Sequence, residues 1–277
     1  MNTHTSALTS SSARAALVNT KVLSLRKKGR HASSSSSSSG KQTKKQTMII
    51  KAVSNSVTPD NDWGESTQAV HNGERGGRPR ISDSLTTPIV CTSTYTFKDT
   101  QELIDYQEGN YGSFEYGRYG NPTTRAVEEK IRLLEGGDDC LLSASGMCTA
   151  VTMLLSLVPA GGHIVTTTDC YRRTRQFIQT FLPKMGITST VLDPSDYDGL
   201  QKALDEHDCS LYFSESPTNP YLRCVDIDRI SKMCKPKGCL VCIDGTFATP
   251  CNLKPLEFGA DLVIHSASKY MLSLIHI

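Results

Sequence analysis

Five apolar runs in this chain end in residues able to do chemistry. The last of them, "DLVIHSASKY", passes from Leu262–Ile264 into Ser266, Ser268 and Lys269. Hydroxyls bind phosphate, and a lysine amine in a partly desolvated pocket can attack a carbonyl. In "LVCIDGTFATP" a strongly apolar run ends in Asp244, whose carboxylate, buried there, demands a positive partner. A protonated ring nitrogen is one such partner, and a nearby Arg or Lys is the structural alternative. "YFSESPTNP" puts Glu215, Thr218 and Asn219 in a loop bracketed by prolines, which suits presenting the Asn219 amide, with a plain turn as the alternative. "HIVTTTDCYRRTRQF" sets Tyr171 at the head of a helical run, where its ring can cover a flat ligand or simply pack. Finally, "LLSASGMCTA" runs into a helix whose first amides belong to Gly146, Met147 and Cys148. Glycine there lets an anion approach the backbone, and the helix dipole favours negative charge.

Each stretch alone has an ordinary structural explanation. Together they supply a phosphate cradle, an aromatic cover, a carboxylate for a ring nitrogen and an amine for an aldehyde. Those are the needs of pyridoxal phosphate, whose ring acts as an electron sink once a lysine holds it.

The elements that carry these residues follow from the pattern. In "GNPTTRAVEEKIRLLEGG", Asn121 can cap a helix, Pro122 suits its first turn, and apolar residues recur at Ala126/Val127, Ile131 and Leu134 before Gly136-Gly137 end it. Beyond it, short β-like runs alternate with helical ones, and the strands are apolar on both faces. That pattern predicts an α/β domain on a mostly parallel sheet. In such sheets ligands sit beyond the carboxyl ends of the strands, which is where the five stretches lie. Residues 63–114 read instead as an extended arm, loop-rich and polar, with a helix near Thr100–Tyr106.

Charge divides the chain of 277 residues unevenly. Residues 1–59 carry ten Lys or Arg and no acid, so a formal charge of +2 hides an acidic body with a net charge of −8. An acidic body argues against a nucleic-acid partner. The basic head, with seven serines at 33–39 and the cluster "RKKGR", has the composition of an organelle transit peptide, a disordered tail without an address being the alternative. No apolar stretch in it is long enough for a secretory signal or a membrane span. The ten cysteines are scattered singly, among them Cys148, Cys209 and Cys242 in apolar segments, and reduced buried thiols are expected. Cys239 and Cys242 form a CxxC inside a strand-like run. Residues three apart on a strand face opposite ways, so no metal site is expected.

On the motifs "FEYGRYGNPTTR", "ASGMCTAV", "ESPTNP", "IDGTFATP" and "DLVIHSASKY", the chain from about Ser66 to Tyr270 resembles the Cys/Met-metabolism pyridoxal-phosphate enzymes of fold type I. The resemblance implies a large α/β domain with a mostly parallel seven-stranded sheet and flanking helices. The expected divisions are a leader at 1–60, disordered and transit-peptide-like, an arm at 61–115, the cofactor domain at 116–270 and a non-family tail at 271–277, with the family's C-terminal domain missing. It implies that Lys269 bonds to the cofactor and shuttles protons, that Asp244 pairs with the pyridine nitrogen, and that Asn219 bonds the ring hydroxyl. Tyr171 would stack on the ring, and Gly146, Met147, Ser266 and Ser268 would hold the phosphate. Tyr116 and Arg118 would reach the phosphate of a neighbouring subunit, in a homo-oligomer that is usually a dimer of dimers. The usual Ser-x-Thr-Lys reads Ser-Ala-Ser-Lys here, and Gly245 stands where other members commonly have Asn. The implied reaction is γ-replacement in methionine biosynthesis, in which O-phosphohomoserine and cysteine give cystathionine in the plastid stroma. A β- or γ-lyase reaction of the same family remains open, as does a truncated subunit without catalysis that pairs with longer partners.

Overall fold

The structure is a computed structural model that describes residues 22–25 (backbone only), 64, 66–67 and 85–272. Most of the 1–60 leader, most of 61–84 and the tail 273–277 lie outside the described residues. The transit-peptide reading and most of the proposed tail therefore fall outside it too.

The first helices behave as their ends dictate. Asp99 accepts from the Glu102 amide at 3.0 Å and starts α1 (Thr100–Glu108), confirming the helix expected near Thr100. Asn121 caps α2 (Pro122–Glu135), its Oδ1 accepting from the amides of Thr123 and Thr124 at 2.8 and 3.2 Å. Its Nδ2 donates to the Val90 carbonyl at 2.8 Å, so one side chain both starts the helix and docks the arm. The helix stops at Gly136, whose φ of 69° is the left-handed conformation a side chain would resist.

Seven strands then form one sheet in the order β2-β1-β7-β6-β5-β3-β4. They are β1 (Val22–Leu25), β2 (Cys140–Leu142), β3 (His163–Thr167), β4 (Thr188–Leu192), β5 (Cys209–Glu215), β6 (Leu240–Asp244) and β7 (Leu262–Ile264). From β4 across to β7 every pairing is parallel, with helices α3 (Gly146–Leu157), α4 (Arg172–Thr180), α5 (Tyr197–Glu206), α6 (Ile227–Cys234) and α7 (Thr249–Asn252) between strands. Alternation along the strands feeds two cores. Ile164, Leu211, Phe213, Cys242, Leu262 and Ile264 pack with Met153 and Leu154 of α3 and Ile178 of α4. Val165, Tyr212, Val241 and Ile243 pack with Leu200 of α5 and Ile230 of α6 on the opposite face. Burying one side chain of this size is worth roughly 1.5–3 kcal/mol, and covering both faces is what a parallel sheet requires.

Two expectations differ from the structure. The 1–60 leader is expected to be disordered, and residues 22–25 of it form β1, antiparallel between β2 and β7. The physical reason is the ladder: without a strand in that slot, the facing backbone groups of β2 and β7 would have no partners. The ten cysteines are free thiols, as expected, but they are not uniformly buried. Cys209 and Cys242 are in the cores, whereas Cys148 is exposed, as are Cys91, Cys224 and Cys251. Cys148 sits in the first turn of α3, and the apolar face of that helix passes through Ala150, Met153 and Leu154 instead.

Among the described residues, no helix is long and apolar enough to cross a membrane. Among them too, no group of three or more His, Cys, Asp or Glu could hold a metal ion.

Candidate active site

Because β2, β3, β5, β6 and β7 run in the same direction, the residues that follow them gather along one edge of the sheet. Gly146 and Met147 follow β2, Tyr171 follows β3, Asn219 follows β5, Asp244 closes β6, and Ser266, Ser268 and Lys269 follow β7. Local hydrogen bonds determine how each is presented.

Ser145 caps α3, its hydroxyl accepting from the Cys148 amide at 3.0 Å. The amides of Gly146 and Met147 are the others in that first turn, where a helix leaves its N–H groups pointing outward. Both residues are half-buried. The Met147 thioether accepts from the buried Thr174 hydroxyl of α4 at 3.7 Å, which ties the cradle to the helix that Tyr171 begins.

Asp244 is 3% exposed at the end of β6. One of its carboxylate oxygens accepts from the Thr246 amide at 3.0 Å and from the Thr246 hydroxyl. That hydroxyl in turn accepts from the Ser266 amide at 2.8 Å. Thr246 therefore joins the buried carboxylate to the segment that carries Lys269. The segment is a turn, with the Lys269 amide donating to Ser266 O at 3.0 Å and Leu272 to Ala267 O at 3.1 Å. Ser268 and Lys269 are exposed on it and Ser266 is half-buried.

A second buried carboxylate, Glu215, holds two site loops. One of its oxygens accepts from the Tyr171 amide at 2.6 Å and the other from the Asn219 amide at 3.0 Å. Tyr171 itself is 43% exposed at the N-terminal end of α4, so its ring is open to a ligand. Asn219 lies between the cis peptide bonds Ser216–Pro217 and Asn219–Pro220.

Tyr116 and Arg118 stand apart from the strand ends. Tyr116 bridges Thr94 in the arm, and the Arg118 guanidinium lies over the rings of Tyr116 and Tyr119 at 4.8 and 5.6 Å. All three are exposed, with the Arg118 cation at the surface just after the arm.

Some contributors were not singled out by sequence. Thr246 is one of them; Glu215 is noted in the sequence as a loop residue, but it closes β5 and its partners follow from no spacing rule. His265 and Glu135, 130 residues apart, form a hydrogen bond in the interior beside the lysine turn. The one available signal was that each sits at, or within two residues of, the end of a helix or strand that carries the site.

The donor set fits pyridoxal phosphate: paired helix amides and hydroxyls for a phosphate, an exposed ring, a buried carboxylate and a primary amine on one sheet edge. The chain belongs to the family described as Cys/Met metabolism PLP-dependent enzyme, whose pattern matches residues 66–273. It is 62% identical over 207 residues to proteins named cystathionine gamma-synthase 1, chloroplastic, from Nicotiana tabacum and Arabidopsis thaliana. Those alignments cover 75% of this chain but only 38% and 37% of the relatives, so the chain spans well under half of their length. Among solved structures, a putative O-acetylhomoserine (thiol)-lyase of Campylobacter jejuni matches with a TM-score of 0.68 and 27% identity, covering 76% of this chain and 51% of that one. That structure carries an N'-pyridoxyl-lysine-5'-monophosphate.

Proposed function

We propose that the protein of which this chain is part makes cystathionine by γ-replacement, from O-phosphohomoserine and cysteine. The observation that carries the reading is the buried carboxylate of Asp244, joined through Thr246 to the turn that presents Lys269. Thr246 orients this carboxylate, 3% exposed at the sheet edge, and a protonated ring nitrogen is a cation that a carboxylate so placed would pair with.

In this reading Gly146 and Met147 hold the phosphate with backbone N–H groups, helped by the hydroxyls of Ser266 and Ser268. Tyr171 covers the ring face and the Asn219 amide donates to the ring hydroxyl. Lys269 is the residue whose amine would hold the group. When bound, the group supplies an electron sink for charge developing at the substrate Cα. The Lys269 amine would take a proton from the substrate Cα and later serve at Cβ, with the γ-phosphate as leaving group and the cysteine sulfur, its thiol proton released, adding at Cγ. Tyr116 and Arg118, exposed just after the arm, reach the phosphate of a second subunit, Arg118 through two parallel N–H bonds. That arrangement makes the working unit an oligomer, with a tetramer of paired dimers expected.

The divisions follow the same reading, with a leader at 1–60 that also carries the strand β1, an arm at 61–115, the cofactor domain at 116–270 and a tail at 271–277. The acid-free basic head and the chloroplastic names of the relatives at 62% identity support a plastid stromal location. Incubating the protein with O-phosphohomoserine and cysteine, and separately with cystathionine alone, tests the reaction. Net formation of cystathionine is expected. Cleavage of cystathionine without synthesis would assign a lyase instead, and neither activity would leave only a pairing subunit.

A further inference from the structure

We propose that Glu215 is a positioning residue that sets the width of the cofactor slot by holding Tyr171 and Asn219 at a fixed separation. The role rests on the cofactor reading above. Glu215 is 6% exposed, and its two oxygens each take one backbone N–H, from Tyr171 at 2.6 Å and from Asn219 at 3.0 Å. These two residues lie on different loops, after β3 and after β5, and would contact opposite parts of one flat ring. A carboxylate is rigid and planar. Charge-assisted bonds from both its oxygens fix the two amides relative to each other more tightly than packing of exposed loops would.

Two features show why Glu215 suits this task. Tyr171 begins α4 without a side-chain cap of its own, so the positive end of that helix is met by Glu215 from another strand. The same two loops are also joined at their outer side. Arg223, four residues beyond Asn219, donates from Nε to Asp169 at 2.7 Å, and Asp169 is two residues before Tyr171. Arg223 also binds Asp193 after β4 through Nη1 and Nη2, at 3.1 and 2.9 Å. Glu215 is thus the inner, buried tie and Arg223 the outer, exposed one. Only the inner tie touches the backbone of the two ligand-facing residues.

Glu215→Gln keeps the shape and one acceptor but turns an N–H group against one amide, so it breaks one arm of the tie. Hydrogen exchange on the purified 277-residue chain reads this without any cofactor. Exchange at the Tyr171 or Asn219 amide should rise at least tenfold in Glu215→Gln, while interior amides of β3 and β5 stay protected. Titration with pyridoxal phosphate should then show about tenfold weaker binding. The visible circular dichroism per bound cofactor should also change, because ring tilt sets its amplitude. Arg223→Lys serves as the comparison, and it should disturb both readouts less than Glu215→Gln does. Wild-type exchange at both amides in Glu215→Gln would overturn the proposal. So would unchanged affinity and dichroism despite faster exchange. If the wild-type chain itself takes up no pyridoxal phosphate, the functional reading fails, and the exchange data still decide whether Glu215 ties the loops.

Discussion

His265 Nε2 and Glu135 Oε1 are hydrogen-bonded to each other in the interior, with side chains 1% and 0% exposed. Glu135 closes α2, and His265 is the residue between β7 and the turn bearing Ser266, Ser268 and Lys269. The bond pins that turn to α2, which packs against β2. The other polar atom of each partner, Glu135 Oε2 and His265 Nδ1, is buried without a hydrogen bond. The pair is therefore held by a single contact. Replacing one member strands the other in the interior. Glu135→Ala or His265→Ala is expected to cost about 1–3 kcal/mol for the buried polar group left without its hydrogen bond, measured by urea unfolding. A loss below about 0.5 kcal/mol in both variants would show that the bond contributes little.

Gly245 belongs to the same arrangement. A Cβ there would stand 2.8 Å from His265 Cε1, closer than carbon atoms pack. The imidazole occupies the space that glycine leaves beside Asp244, so the residue next to the site carboxylate also makes room for the anchor of the lysine turn.

Thr246 offers a sharper separation of structure from function. Its hydroxyl serves Asp244 and the Ser266 amide at once. Thr246→Val keeps the volume and removes both bonds, and a cost of roughly 1–3 kcal/mol is expected for the two hydrogen bonds lost. Thr246→Ser keeps the hydroxyl and should restore pyridoxal phosphate affinity to within about threefold of wild type. Equal affinity for the Val and wild-type chains would remove Thr246 from the site.

Glu128 produces a dependence on pH. It is 9% exposed on α2, and its Oε1 accepts from the Leu142 amide of β2 at 2.8 Å. Burial is the largest influence and pushes its carboxyl up from 4.5 to about 7, against the opposing pull of the Leu142 amide and Arg125. In the window from 4.5 to about 7 the folded chain therefore keeps a proton that the unfolded chain has released. Stability falls as pH rises through this window and is level above it, by about 3 kcal/mol at most. Glu128→Gln retains the acceptor for Leu142 and has no proton to lose. Its stability relative to wild type should climb between pH 4.5 and 7, measured by denaturant midpoints. Parallel pH profiles for the two proteins would contradict this.

Much of this architecture was legible in the sequence because it is local. Asn121, Pro122 and Gly136 mark the ends of α2 within one stretch, and apolar alternation marks β3, β5 and β6. The position of chemistry-bearing residues immediately after those strands then follows from a parallel sheet. What escaped is what couples distant segments. Nothing in "LLEGG" and "VIHSASK" says that Glu135 meets His265, and nothing in "SESPTNP" says that Glu215 reaches back to Tyr171. Exposure of Cys148 was missed because an apolar run hides which face of the helix turns outward. The strand at 22–25 escaped because the composition around it is that of a chain without a core.

The central claim is that Lys269 is the residue that takes the cofactor, and chemical trapping tests it most directly. The purified chain is mixed with pyridoxal phosphate, reduced with borohydride, digested and mapped by mass. A single pyridoxyl-phosphate adduct on Lys269 is expected, lost in Lys269→Ala and reduced in occupancy in Asp244→Ala. Labelling spread over surface lysines, and unchanged in Lys269→Ala, would contradict the account.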